Sequence, residues 1–180
     1  EAEKGKGFGW LHNKDSFVAY IILMDQFSRH IYRGTGEAFK NDNGVIIFTE
    51  LGFDIHKNAL KGYEFMFAFM PYMHTEIITL QKKGENIFHS HKLLYKNKAN
   101  NPCYRPLTNP HKSDYLVPIE KTNYDKEYEM LMSMEPHVEG HKMVIFNYGR
   151  FPKRNKALGR ENTTNEERYL QQPEVQKRPY

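Results

Sequence analysis

The residues best suited to a defined chemistry are arginines, and they concentrate in two places. Between Asn147 and Glu161 the chain carries Arg150, Lys153, Arg154, Lys156 and Arg160, with Asn155 and Glu161 among them. Gly149 stops a helix and Pro152 cannot continue one, so most of this stretch is a loop. Phe151 and Leu158 are its apolar pegs, and a pegged loop bearing three guanidiniums is an ordered binding surface. Guanidinium forks hold phosphate or carboxylate through paired hydrogen bonds. The plainer reading is a basic surface connection, and spacing alone does not separate the two.

The second group is Asp25, Arg29 and Arg33, spaced i, i+4, i+8 and continuing the row of Phe17 and Ile21. These charges therefore lie beside a buried stripe. A salt bridge locking the helix to its neighbours is the favoured account of Asp25 and Arg29, with Asp42 placed to receive Arg29 or Arg33. The histidines offer less. His137 and His141 are one helical turn apart, a chelating spacing, but Glu139 is misplaced for a zinc-protease motif and no third ligand is evident. His89 and His91 diverge on a helix. His74 and Glu76 open a helix, where the acid favours the positive dipole end. No phosphate-binding glycine loop or nucleophile elbow is present, so neither a metal nor a cofactor is expected.

The elements that must position these groups are helical. Asp15 or Ser16 caps a helix to Tyr32, with Phe17, Tyr20, Ile21, Leu23, Met24, Phe27 and Ile31 inward. Further helices are expected over 37–51, 57–69 (ended by Pro71), from His74 through Leu94 with Gly84 a weak spot, and from Tyr124 to Tyr148 with a break at Pro136. In the last of these Val138, Met143, Val144, Ile145 and Phe146 are the apolar positions. Thr164 to Glu167 reads as a capping box opening a short helix that ends before Pro173. Residues 1–14 read as a lead-in, 97–123 as a proline-rich irregular excursion and 173–180 as an extended tail. No strand pattern competes, so the expectation is one all-α antiparallel bundle over residues 1–180.

Composition bounds the partners. A hydrophobic share of 39% supports a core, and a mean hydropathy of −0.78 describes a polar surface. The net charge of +4 is interleaved with acids, without a platform of stacking aromatics, so nucleic acid is not expected. A single cysteine suits a reducing compartment, mitochondrial or cytoplasmic rather than secreted. The longest apolar run, Phe65 to Met73, is about half of what a membrane span needs.

Four boxes in order carry a resemblance: Asp25-Gln26-Phe27-Ser28-Arg29-His30 with Arg33-Gly34-Thr35; Ala38-Phe39 with Asp42; Met70 to Glu76; and Gly149 to Asn155 through Leu158-Gly159-Arg160-Glu161. They are similar to the boxes of bacterial domain-of-unknown-function family 924, D-Q-F-P-R-N-x-x-R-G, M-P-x-x-H-S-E and F-G-R-F-P-H-R-N-x-x-L-G-R. The resemblance implies an all-α, tetratricopeptide-like fold and no established reaction. It carries over Asp25, Gln26, Arg29, Arg33, His74, Glu76, Gln81, His141, Arg150, Arg154, Asn155 and Arg160. Ser28 stands for the family's proline, His30 for asparagine, Asn147 for arginine and Lys153 for histidine. Two functions follow as expectations. The favoured one is a non-catalytic structural or interaction subunit of a larger protein assembly, with a mitochondrial assembly as one setting. The other is an enzyme or binding protein for a small phosphate or carboxylate, held by the arginines, with His74 or His141 as general base.

Overall fold

The computed structural model describes residues 7–100 and 123–177. Every regular element among them is helical, as the hydrophobic periodicity requires. A single 3-10 turn, Phe8–His12, lies within the expected lead-in. It runs into α1 (Lys14–Ile21), capped by Asn13 rather than by Asp15 or Ser16: the Asn13 carboxamide oxygen accepts from the N–H groups of both. A π-helical turn, Ile22–Phe27, joins α1 to α2 (Ser28–Ile31). The helix expected over 37–51 is instead a 3-10 turn, Gly36–Phe39, followed by α3 (Asp42–His56). Next come α4 (Gly62–His74), α5 (Ile78–Asn100), α6 (Asn123–Tyr148), α7 (Thr164–Leu170) and α8 (Pro173–Lys177).

Three proline readings change. Pro71 lies inside α4, which runs three residues further, so His74 closes that helix rather than opening the next. Pro136 lies inside α6 without ending it. Pro173 starts α8, because its fixed φ suits a first helical position, and buried Val175 anchors that helix. The tail is thus not extended over 173–177, and 178–180 lie outside the described residues. The central part of the expected excursion, 101–122, also lies outside them.

The core is aromatic and centred on α4, which packs against α1, α3, α5 and α6. Phe65, Phe69 and Tyr72 of α4 are fully buried with Phe17, Phe88 and Leu131 from its neighbours, and Phe48 and Phe53 are buried beside them. On the first helical stretch the buried row follows Phe17, Ile21, Asp25 and Ser28, and Leu23, Phe27 and Ile31 face outward instead. Two polar residues hold the inward positions that apolarity alone assigned elsewhere. Phe146 and Met143 are likewise exposed, while Val138 and Ile145 are buried.

Gly84 is a close-approach position between α5 and α4: an added Cβ would lie 2.5 Å from Tyr72 Cβ. Gly84→Ala should therefore destabilise by about 1–3 kcal/mol through overpacking, despite alanine's better helix propensity. Gly44→Ala in α3, with open space around it, should stabilise by roughly 0.5 kcal/mol. Urea unfolding of both variants checks the sign of each.

Candidate functional site

The end of α4 is where distant parts of the chain meet. Asp25, buried in the π-helical turn, accepts from Arg29 Nη2 at 3.0 Å and faces His74 Nδ1 at 2.9 and 2.8 Å through its two oxygens. Gln26 Nε2 donates to the same carboxylate. Arg29 Nη2 also donates to Asp42 Oδ1 at 2.8 Å, and Arg154 Nη1 donates to Asp42 Oδ2 at 2.9 Å. Two carboxylates and two guanidiniums thus alternate with no net charge. Phe39 lies between the two guanidiniums, 5.5 Å from Arg29 and 4.7 Å from Arg154, and Phe151 covers Arg154 at 4.3 Å.

Arg154 also closes α4, its Nη2 donating to the His74 carbonyl at 2.9 Å. A cation at a helix C-terminus satisfies an orphan carbonyl and complements the dipole. Gln81 Nε2 reinforces the same end through the carbonyls of Met73 and Thr75, at 2.7 and 2.9 Å. Glu76 then takes a two-pronged bond from Arg160, at 2.7 and 3.0 Å, and the Phe151 N–H at 2.8 Å.

The late loop is built to deliver these groups. Gly149, at φ +69°, ends α6 in the left-handed region. Phe151 and Pro152 are buried, and a 3-10 turn, Pro152–Arg154, aims Arg154 inward. Leu158 is 39% exposed and is not the second peg. Arg150 forks onto Glu166 at 2.7 and 2.8 Å. Glu166 completes a capping box with Thr163, one residue before the expected Thr164 and Glu167. Asn155 is buried and donates to Asn162 Oδ1 at 2.8 Å.

Beside this network lies a cleft of about 280 Å³, lined by Arg29, His74, His141, Phe151, Lys153 and Arg154 among others. The His74 and His141 rings are 6.0 Å apart. His141 Nδ1 donates to the His137 carbonyl at 2.7 Å. Burial would push the Asp25 carboxyl up, but His74 and Arg29 outweigh it and hold it well below the carboxylate range. Burial, with Arg29 adding to it, pushes His74 below the usual imidazole value despite Asp25. His141 moves the same way, through burial and then Arg154. Burial lowers Arg154 to about 10, where it remains a cation at neutral pH.

Of the residues singled out in the sequence, Asp25, Gln26, Arg29, His74 and Arg154 share one bonded network, and His141 faces the cleft. Glu76 and Arg160 form the adjoining pair, while Arg150 and Asn155 hold the loop from its far side. Arg33 is exposed in the turn after α2 and does not join them. The partner of Arg150, Glu166, was missed; its signal was a capping-box acid whose second oxygen can accept a fork. Among the described residues no group of three or more His, Cys, Asp or Glu could hold a metal ion. No helix among them is long and apolar enough to cross a membrane.

These features define an all-α protein whose late basic loop is pinned to the end of a central helix. The chain belongs to the family described as bacterial protein of unknown function (DUF924), whose profile matches residues 1–174. It is similar to the solved structure of a protein of unknown function, ATU0120, from Agrobacterium tumefaciens. The two share 26% identity over 94% of this chain and 75% of that one, with a TM-score of 0.63. No curated protein matches the chain significantly.

Asp42→Ala leaves Arg154 and part of Arg29 without a countercharge and should destabilise by about 3–5 kcal/mol. Asp54→Ala, at the exposed pair with Lys57, should cost less than about 0.5 kcal/mol; urea unfolding compares the two. Stability should also fall as pH drops from 6.5 towards 5. Burial lowers His74, His141 and His91, the last to about 4, so over this range the native state binds fewer protons than the unfolded chain. Unfolding midpoints at pH 7.5 and 5.5 test this, and equal midpoints would contradict it.

Proposed function

We propose that the cleft beside the end of α4 binds a small oxyanion, phosphate or carboxylate, with His74 held by Asp25 as a proton acceptor. The observation that carries this reading is the pairing of His74 with a carboxylate inside a cleft also lined by Arg29, Lys153 and Arg154. An ionised carboxylate fixes the ring's tautomer and orientation and leaves its other nitrogen for the ligand. The two aspartates balance Arg29 and Arg154, and Lys153 adds a third cationic side chain to the lining. An imidazole so placed serves either an enzyme, as general base, or a receptor.

Isothermal titration with phosphate, citrate and acetate tests the site. Binding at millimolar concentration or better is expected, with Lys153→Ala weakening it about tenfold through loss of a charge-assisted bond. No heat and no thermal shift with any of the three would overturn the reading.

A second reading, an interaction subunit of a larger assembly, is favoured by two outward apolar rows. Leu23, Phe27 and Ile31, and Ile47, Leu51 and Ile55, each recur at i, i+4, i+8 and are 39–69% exposed. Such rows suit protein contacts. The mildly basic charge and the single cysteine are compatible with a mitochondrial setting. Gentle purification of the native protein should then yield a complex, and a free monomer in every fraction would contradict it.

A further inference from the structure

The two imidazoles of the cleft are fixed in the same tautomer by different acceptors. His74 Nδ1 is bonded to the Asp25 carboxylate, and His141 Nδ1 to the His137 carbonyl. Neither acceptor can donate, so each ring carries its proton on Nδ1 and a lone pair on Nε2. Neither Nε2 is hydrogen-bonded to the described residues. The cleft therefore presents cations, Arg29, Lys153 and Arg154, together with two hydrogen-bond acceptors whose rings lie 6.0 Å apart.

That combination has a specific complement. An oxyanion with no proton meets the cations well but sets its lone pairs against those of Nε2, leaving buried acceptors unpaired. An oxyanion that keeps one O–H meets the cations and also donates to one Nε2, so one acceptor fewer is left unpaired. A site built around hydrogen-bonding groups discriminates strongly against an analogue lacking the matching group. We propose that the cleft selects monohydrogen phosphate, which keeps one O–H as a dianion, over anions of the same size and charge that carry no proton. The inference rests on the cleft being an oxyanion site at all. Its volume, small for a metabolite pocket, suits a compact ligand.

The surrounding charges support neutrality of both rings. His74 faces Asp25, which favours its charged form, and Arg29 from the first helical stretch, with His141 from α6; His141 faces Arg154, Arg29 and His137. Burial and these guanidiniums disfavour imidazolium, so the proton must come with the ligand rather than from the ring.

Monohydrogen phosphate and sulfate are both compact tetrahedral dianions at pH 7.5 and differ in one proton. Isothermal titration of the full chain with each, at fixed ionic strength, should show phosphate binding at least about tenfold tighter. His141→Phe keeps an aromatic ring and leaves His74 Nε2 for the one O–H, so the ratio should hold at about tenfold; adding His74→Phe removes the last acceptor and should shrink it to below about threefold. Lowering the pH to 6 should strengthen sulfate binding, since sulfate must recruit an imidazolium. Sulfate binding as tightly as phosphate at pH 7.5 would overturn the selectivity while leaving the oxyanion site standing. Binding of neither would overturn both. Should either variant fail to fold, the ratio for the unaltered chain decides.

Discussion

Four charges in alternation, Asp25, Arg29, Asp42 and Arg154, hold this molecule in its shape. Asp25 is inaccessible and the other three side chains are at most 15% exposed. Desolvating four ions offsets most of their mutual attraction, so the network adds little net stability over a well-packed apolar core. Its effect is on geometry. Each guanidinium offers donors in a fixed plane, and each aspartate accepts from two directions. Only one arrangement of the first helical stretch, α3 and the late loop satisfies all of them. Phe39 and Phe151 pack on the guanidinium faces and limit their contact with water, which strengthens those bonds.

The end of α4 inherits that rigidity. Its last carbonyls are taken by Arg154 and Gln81, its last side chain by Asp25, and the next acid by Arg160. A chain that would otherwise fray presents His74 at a fixed position beside His141. Structural lock and candidate chemistry therefore share atoms: the carboxylate that pairs with Arg29 is the one that sets the imidazole's tautomer. A change that loosens the lock also moves the proton acceptor.

Much of this could be read before any coordinates. The i, i+4 spacing placed Asp25 and Arg29 beside Phe17 and Ile21, with Asp42 able to receive Arg29 or Arg33. Helical periodicity excluded a sheet. What could not be read follows from tertiary rather than local causes. Leu23, Phe27 and Ile31 are apolar yet face outward, because Asp25 and Ser28 have partners worth burying: Ser28 Oγ accepts from Asn41 at 2.9 Å. Pro71 permits three more residues of α4 because the turn after it is closed by side chains from elsewhere. Arg150 and Glu166 are sixteen residues apart and no periodicity links them. His74 looked like a helix opener, and its pairing with Asp25 spans forty-nine residues.

The chemistry of the cleft depends on Asp25 fixing the protonation of the ring it holds. The most direct measurement is the nitrogen-15 chemical shifts of the His74 imidazole in labelled protein at neutral pH. A protonated Nδ1 and a bare Nε2 are predicted, changing when Asp25 is replaced by asparagine. A proton on Nε2 instead, or shifts indifferent to that replacement, would contradict the account.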